Sequence, residues 1–318
     1  MQIPRLSTGD FFFNMEKLFD VIIIGGSVAG LSTALTLGRA LRNVVVIDCD
    51  SPCNQYTPES HNFFTRDGES PQALLSIARQ QLQQYDNITF LSAKASAAEG
   101  QDGAFQVTAG DKTVKGRKVV LATGLRDLFP EIDGFESCWG KSVLHCPYCH
   151  GYEVRDRPTA VLANGEAAYH LGTLIHNWTK KLTVLTNGVS ELRAEEQARL
   201  ESFGITINER NIKRFFHHNG VLSSVVFDNE EQLPIEVIYA SIPFEQQSDL
   251  CEQLGCKISS HHHIEVDDEQ RTSIKGVFAV GDCTAQPRAI SVASASGTKA
   301  GFTINLELML EEKMPSDK

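Results

Sequence analysis

The chain is predicted to fold as an α/β protein of two three-layer units, the second inserted within the first. Three stretches predict this. Val21-Ile22-Ile23-Ile24 runs straight into Gly25-Gly26-Ser27-Val28-Ala29-Gly30. Ala160-Val161-Leu162 runs into a turn at Asn164-Gly165. Gly276-Val277-Phe278-Ala279-Val280 ends on Gly281-Asp282. Short apolar runs that break at glycine and alternate with helical stretches are the mark of parallel strands joined by helical crossovers.

In the first unit, Leu31, Ala34, Leu35 and Leu37 give a helix that ends near Leu41-Arg42-Asn43, and a strand from Val44 to Ile47 ends on Asp48-Cys49-Asp50. That makes a βαβ unit of about 30 residues, the least a right-handed parallel crossover needs. Residues 72–86 read as a helix. Residues 88–121 read as short strands with turns at Gly100 to Gly103 and at Asp111, closing on Val119-Val120-Leu121-Ala122-Thr123-Gly124. The second unit repeats the pattern with a helix from Glu166 to Asn177 and a strand from Leu182 to Thr186; a last helix runs from Val292 to Leu310. The expected divisions are an N-terminal extension at 1–14, the first part of the outer domain at 15–125, the inserted domain at 126–245 and the second part of the outer domain at 246–318. Met15 is an alternative start, directly before the first strand.

The first glycine turn carries chemistry. A tight strand-to-helix turn aims backbone N–H groups and a helix N-terminus at a pyrophosphate. Gly25 and Gly30 take the first and third glycine places of G-x-G-x-x-G, beside Gly26, with Ser27 in the middle place. Asp48, at the end of the second strand, stands where an acid should meet ribose hydroxyls. Strand, helix, strand and acid in this order make the unit a Rossmann-like dinucleotide-binding domain.

Composition narrows the classes. The 318 residues suit about two domains. With 42% hydrophobic and 22% charged residues the balance is globular, and a net charge of −11 argues against nucleic-acid binding. No apolar run nears the roughly 18 residues of a membrane span. Phe11-Phe12-Phe13 is too short for a signal-peptide core. Eight cysteines, scattered apart from one close pair, point to a reducing cytoplasm.

That pair is Cys146-Pro147-Tyr148-Cys149. A dithiol with two residues between can close a small disulfide. Three readings stand: a redox pair, half of a zinc site and an inert buried pair. Zinc needs four ligands, and Cys251, Cys256 and His261-His262-His263 are the other candidates. His150 follows the second thiol and suits proton transfer; His145 precedes the first and reads equally well as a solvated loop residue. Val143-Leu144 and the surface around Tyr148 are expected to shape the choice of substrate.

Gly25 to Gly30, Ala122-Thr123-Gly124, Cys146 to Cys149 and Gly281-Asp282, in this order, make residues 18–312 resemble the low-molecular-weight thioredoxin reductases. The resemblance implies an FAD domain made of the two chain ends and an inserted pyridine-nucleotide domain carrying the dithiol. It also implies a homodimer, and a domain rotation that presents the dithiol in turn to flavin and to substrate. By position, Cys149 is the thiol nearest the flavin and Cys146 the one that attacks the external disulfide. Asp282 meets the ribityl chain, Asn62 belongs to the FAD pocket with Thr123 and Gly124, and Arg288, Ala289 and Ile290 lie beside the isoalloxazine, Ala289 replacing the family's usual Gln.

The chain departs from the family at two places. His150 stands where the family has an Asp proton donor. The second turn, G-x-G-x-x-A in the family, reads Ala163-Asn164-Gly165-Glu166-Ala167-Ala168, keeping only Gly165 and Ala168. Where the family's arginines clamp the 2′-phosphate of NADPH, this chain has Thr186-Asn187-Gly188, and Arg193 alone is in place. Charge-assisted bonds contribute about 1.5–3 kcal/mol each, so losing two guanidinium partners weakens NADPH binding roughly a hundredfold or more. The expectation is an FAD-dependent disulfide oxidoreductase that exchanges two electrons between FAD, Cys146–Cys149 and an external thiol or disulfide, borne by a thioredoxin-like protein or a small molecule. The reductant stays open among NADPH, NADH, ferredoxin and a second FAD, or electrons pass from a small dithiol to oxygen. A non-catalytic flavin- or zinc-binding module is the alternative of another class.

Overall fold

The computed structural model describes residues 17–284 and 287–313. The proposed extension and Met15 lie outside them. The first unit begins with β1 (Leu18–Ile24), α1 (Val28–Arg39), β2 (Val44–Asp48), α2 (Pro71–Leu82) and β3 (Ile88–Ser92). The meander β4 (Ala95–Gln101), β5 (Ala104–Ala109) and β6 (Lys112–Leu121) follows, then β7 (Leu125–Asp127). The inserted stretch holds α3 (Phe135–Cys138), β8 (Val143–Leu144), α4 (Pro147–His150), β9 (Thr159–Leu162), α5 (Gly165–Ile175), β10 (Leu182–Leu185), α6 (Ala194–Ser202) and β11 (Thr206–Asn208). It continues through β12 (Ile212–His218), β13 (Val221–Phe227), β14 (Gln232–Pro234), β15 (Val237–Ala240) and β16 (Phe244–Gln246). The chain returns through α7 (Leu250–Gln253), β17 (Val277–Ala279) and α8 (Ile290–Lys313).

The first sheet runs β3-β2-β1-β6-β5-β4, with β17 parallel on β6. β1 pairs parallel with β2 and β6. Because strand side chains alternate, Val21 and Ile23 enter the core facing α1 and α8, while Ile22 and Ile24 enter the opposite core with Phe105 and Val107. The second sheet is parallel, β11-β10-β9-β15-β8, and also has a core on each face. Two Rossmann-like three-layer units result, with the antiparallel β12-β13-β14 appended to the second. The chain leaves and re-enters the outer unit through the ribbon in which β7 pairs antiparallel with β16, where Arg126 meets Glu245. No helix among the described residues is long and apolar enough to cross a membrane.

Candidate active site

One cleft in the outer unit gathers the C-terminal ends of the parallel strands, where open α/β sheets bind ligands. It is lined by Gly25, Gly26, Ser27, Asp48, Asn62, Thr123, Gly124, Asp282, Arg288, Ala289 and Ile290 from the sequence reading, and by Cys149 and His150 from the inserted stretch. Gly25 has φ +111°, and a Cβ there would stand 2.2 Å from the Ala122 carbonyl oxygen. Gly30 lies beneath the turn, where a Cβ would stand 1.9 Å from the Gly25 oxygen. Ser27, at φ −89°, is extended and makes no side-chain cap bond, so the middle place does not need glycine and the first N–H groups of α1 are left to a ligand. Gly124, at φ +70°, opens into space that a side chain would enter. A narrow turn at one end and an open cradle at the other suit a long dinucleotide, and the site fits FAD.

The charged groups of the cleft are held by partners that sequence reasoning missed. Asp48 receives a 2.6 Å bond from Arg79 on α2. Arg288 donates to both oxygens of Asp127, at 2.7 and 3.2 Å, and lies 3.6 Å from Asp282. Burial pushes the Asp282 carboxyl up, with Arg288 opposing. The Cys53 thiol, 3.9 Å from Asp282, is driven to about 11 by burial and then by that carboxylate. Arg79 sits on the expected helix without an interpretable spacing, and Asp127 and Cys53 carried no motif.

Cys146 and Cys149 are joined in a disulfide, with Cα atoms 5.3 Å apart. Cys146 is extended and Pro147 starts the single turn of α4, so the two sulfurs meet on one side of it. The turn rests on Trp178, against which Tyr148 packs edge-on at 5.6 Å. His150 is largely buried, and desolvation, then the neighbouring His61, hold its imidazole below the ordinary histidine range against Glu153.

Two expectations are corrected. His145 is not a solvated loop residue: burial and then the Arg288 charge push its imidazole down to about 4. Val143 and Leu144 form β8 within the core, at 0% and 2% exposure, and cannot shape a substrate surface, whereas Tyr148 is 63% exposed. Cys251 and Cys256 are buried in the core under the first sheet, and no group of three or more His, Cys, Asp or Glu side chains among the described residues is placed to hold a metal ion.

The second turn is differently built. Asn164 caps α5, its Oδ1 accepting from the N–H groups of Gly165 and Glu191 at 2.9 and 2.8 Å while its Nδ2 donates to the Val189 oxygen at 2.9 Å. Gly165 has φ +56° and packs beside Glu191, and Ala168 is buried on the inner face of α5. Glu166 occupies the first turn of α5. Arg193 is engaged by Glu195 at 3.1 Å and Glu196 at 2.6 Å.

Fold and cleft together define a flavoprotein disulfide oxidoreductase. The sequence pattern of the pyridine nucleotide-disulphide oxidoreductases matches residues 19–297, and the chain belongs to that family. It is 33% identical to the thioredoxin reductase aclD of Aspergillus oryzae over 93% of this chain and 98% of that protein. It is 26% identical to the thioredoxin reductase of Bacillus subtilis over 91% of this chain and 94% of that protein. Among solved structures, a putative thioredoxin reductase TrxB from Bacillus anthracis superposes with a TM-score of 0.88 at 30% identity, covering 92% of this chain and 99% of that one. HlmI superposes with a TM-score of 0.88 at 32% identity, covering 93% and 94%. The chain is thus a thioredoxin reductase-like FAD disulfide oxidoreductase.

Proposed function

We propose that this enzyme takes two electrons from an external dithiol through Cys146–Cys149 and delivers them by way of FAD to dioxygen, without NADPH at the inserted domain. The observation that carries the reading is the second turn. The side chain of Asn164 spends its acceptor and a donor on the neighbouring loop, and Glu166 and Glu191 bring negative charge to a helix N-terminus that in a nucleotide site meets phosphate. The exposed guanidinium of Arg193 pairs with two glutamates, which offsets its charge toward a phosphate.

In this reading Gly25, Gly26, Ser27 and Gly30 hold the pyrophosphate of FAD, Asp48 its adenosine ribose and Asp282 the ribityl chain, with Asn62, Thr123, Gly124, Arg288, Ala289 and Ile290 completing the pocket. FAD supplies two-electron redox chemistry when bound. Cys146 meets the external sulfur, Cys149 faces the cleft, and His150 holds and releases protons beside it. The external dithiol is that of a small molecule or of a thioredoxin-like protein. A homodimer belongs to the proposal, because Phe302, Leu306 and Leu310 leave an apolar stripe exposed on α8; Leu306→Lys is expected to shift sedimentation from dimer to monomer, and an unchanged sedimentation coefficient would contradict that face.

Dithiothreitol with dioxygen, in the absence of nicotinamide, is expected to yield hydrogen peroxide with the native enzyme, and Cys149→Ser to lose that activity while staying yellow. Undiminished peroxide from the variant would refute the dithiol role. A second reading, NADPH-fed reduction of a thioredoxin-like protein, is favoured by the names of the relatives, which match over nearly the whole chain. Those relatives lend no support to ferredoxin or a second flavin.

A further inference from the structure

Thiol–disulfide exchange at Cys146–Cys149 releases a proton beside the flavin cleft, and a half-buried histidine that accepts one must pass it on before the next turnover. His150 has one ring neighbour placed for this. His61, on the loop before α2, lies edge-on to it with ring centroids 6.2 Å apart. The His61 side chain is only 14% exposed, and its Nδ1 is buried without a hydrogen-bond partner. Three carboxylates surround the ring: Glu59 lies 3.5 Å from Nε2, while Asp67 and Glu153 lie 3.6 and 3.7 Å from Nδ1. Their side chains are 59%, 69% and 37% exposed, so each meets water on its outer side. Glu59 and Asp67 come from the same loop as His61. Glu153 and His150 come from the segment that carries the dithiol.

We propose that His61 is a positioning and proton-relay residue that takes the proton from His150 and discharges it to solvent through Glu153, Asp67 and Glu59. The relay rests on the dithiol reading above and names the exit route for its protons. In the step concerned, the sulfur of an external thiol bonds to Cys146 Sγ and the Cys146–Cys149 bond breaks. Its electron pair leaves on Cys149 Sγ as thiolate, and the proton of the external thiol passes to His150 and, through a bridging water, to His61. No further oxidant or reductant enters this step. Burial disfavours a charged imidazole at His150, and the partly exposed carboxylates around His61 give the proton a way to water. Since His61 faces Glu153 across two segments of chain, the relay is complete only while the dithiol is docked on the flavin cleft.

The test uses the flavin-loaded enzyme, anaerobic, with dithiothreitol as reductant, following flavin bleaching from pH 5.5 to 9. His61→Gln keeps a polar group and removes the imidazole that relays the proton. Near neutral pH it is expected to slow bleaching about tenfold and to flatten the pH profile, with added imidazole restoring much of the rate. Because His61 also lines the flavin cleft, Glu153→Gln is the second variant; it is expected to displace the profile while the flavin spectrum stays native. Alkylation of reduced Cys146 by iodoacetamide is expected to match the native enzyme in both variants. A native-shaped pH profile in both variants, or a loss equal at every pH and indifferent to imidazole, overturns the relay. Failure of the native enzyme itself to bleach overturns the dithiol reading instead.

Discussion

The sulfur and imidazole chemistry depends on a few side chains whose surroundings set their protonation. His145 is the clearest case. Its folded value near 4 lies below the ordinary 6.5 because burial penalises the imidazolium, with Arg288 adding to the effect. Between about pH 6.5 and 4 the unfolded chain therefore binds a proton that the folded chain does not. The stability from the neutral ring is complete above 6.5, drains as pH falls through that window and levels off below 4, to a total of about 3 kcal/mol at most. His145→Asn is expected to flatten the fall of the melting temperature from pH 6.5 to 4. An unchanged slope would show that His145 titrates normally. The sequence could favour His150 over His145 by position but could not see that His145 is shielded from water, since burial is a property of the fold. Nor could it join His61 to His150, 89 positions apart; Asn62 was singled out while its neighbour, whose chemistry faces the dithiol, was passed over.

Elements were most legible where a periodic pattern met a turn with a steric demand. β1, the glycine turn, α1 and β2 fell where the apolar runs and Gly25 placed them, because a strand that must bend at once into a helix tolerates few residues. Gly30 shows how tight that demand is: an added methyl would lie 1.9 Å from the Gly25 oxygen, on backbone that cannot yield cheaply. Gly30→Ala is expected to give colourless or insoluble protein; a yellow variant melting with the native enzyme would mean that α1 can move off the turn. The expected helices at 72–86 and 166–177 are shorter, closing at Leu82 and Ile175, since helix ends depend on capping contacts that periodicity does not carry. The three-residue strands β7 and β16 were invisible in the sequence because each makes sense only against the other. Val143-Leu144 was misread as surface for a like reason: two apolar residues beside an active motif give no sign of whether they join a sheet.

At the scale of the whole molecule, one chain holds two dinucleotide folds of unequal fitness. Both sheets are built on parallel strands with a core on each face, the first extended by antiparallel β5 and β4, yet it is the outer unit that keeps a glycine turn clear of side chains. In the inserted unit the fold persists because its cores need only apolar strands and a buried Ala168, while Asn164 serves as a helix cap. In the proposed reading fold and ligand site are separable, and the inserted unit's remaining task is to carry the dithiol to the flavin cleft. The most direct test of that view is anaerobic mixing of the flavin-loaded enzyme with NADPH or NADH, and separately with dithiothreitol, while flavin absorbance is followed. The dithiol is expected to bleach the flavin rapidly and both nicotinamides to leave it oxidised; rapid bleaching by NADPH or NADH would contradict the account.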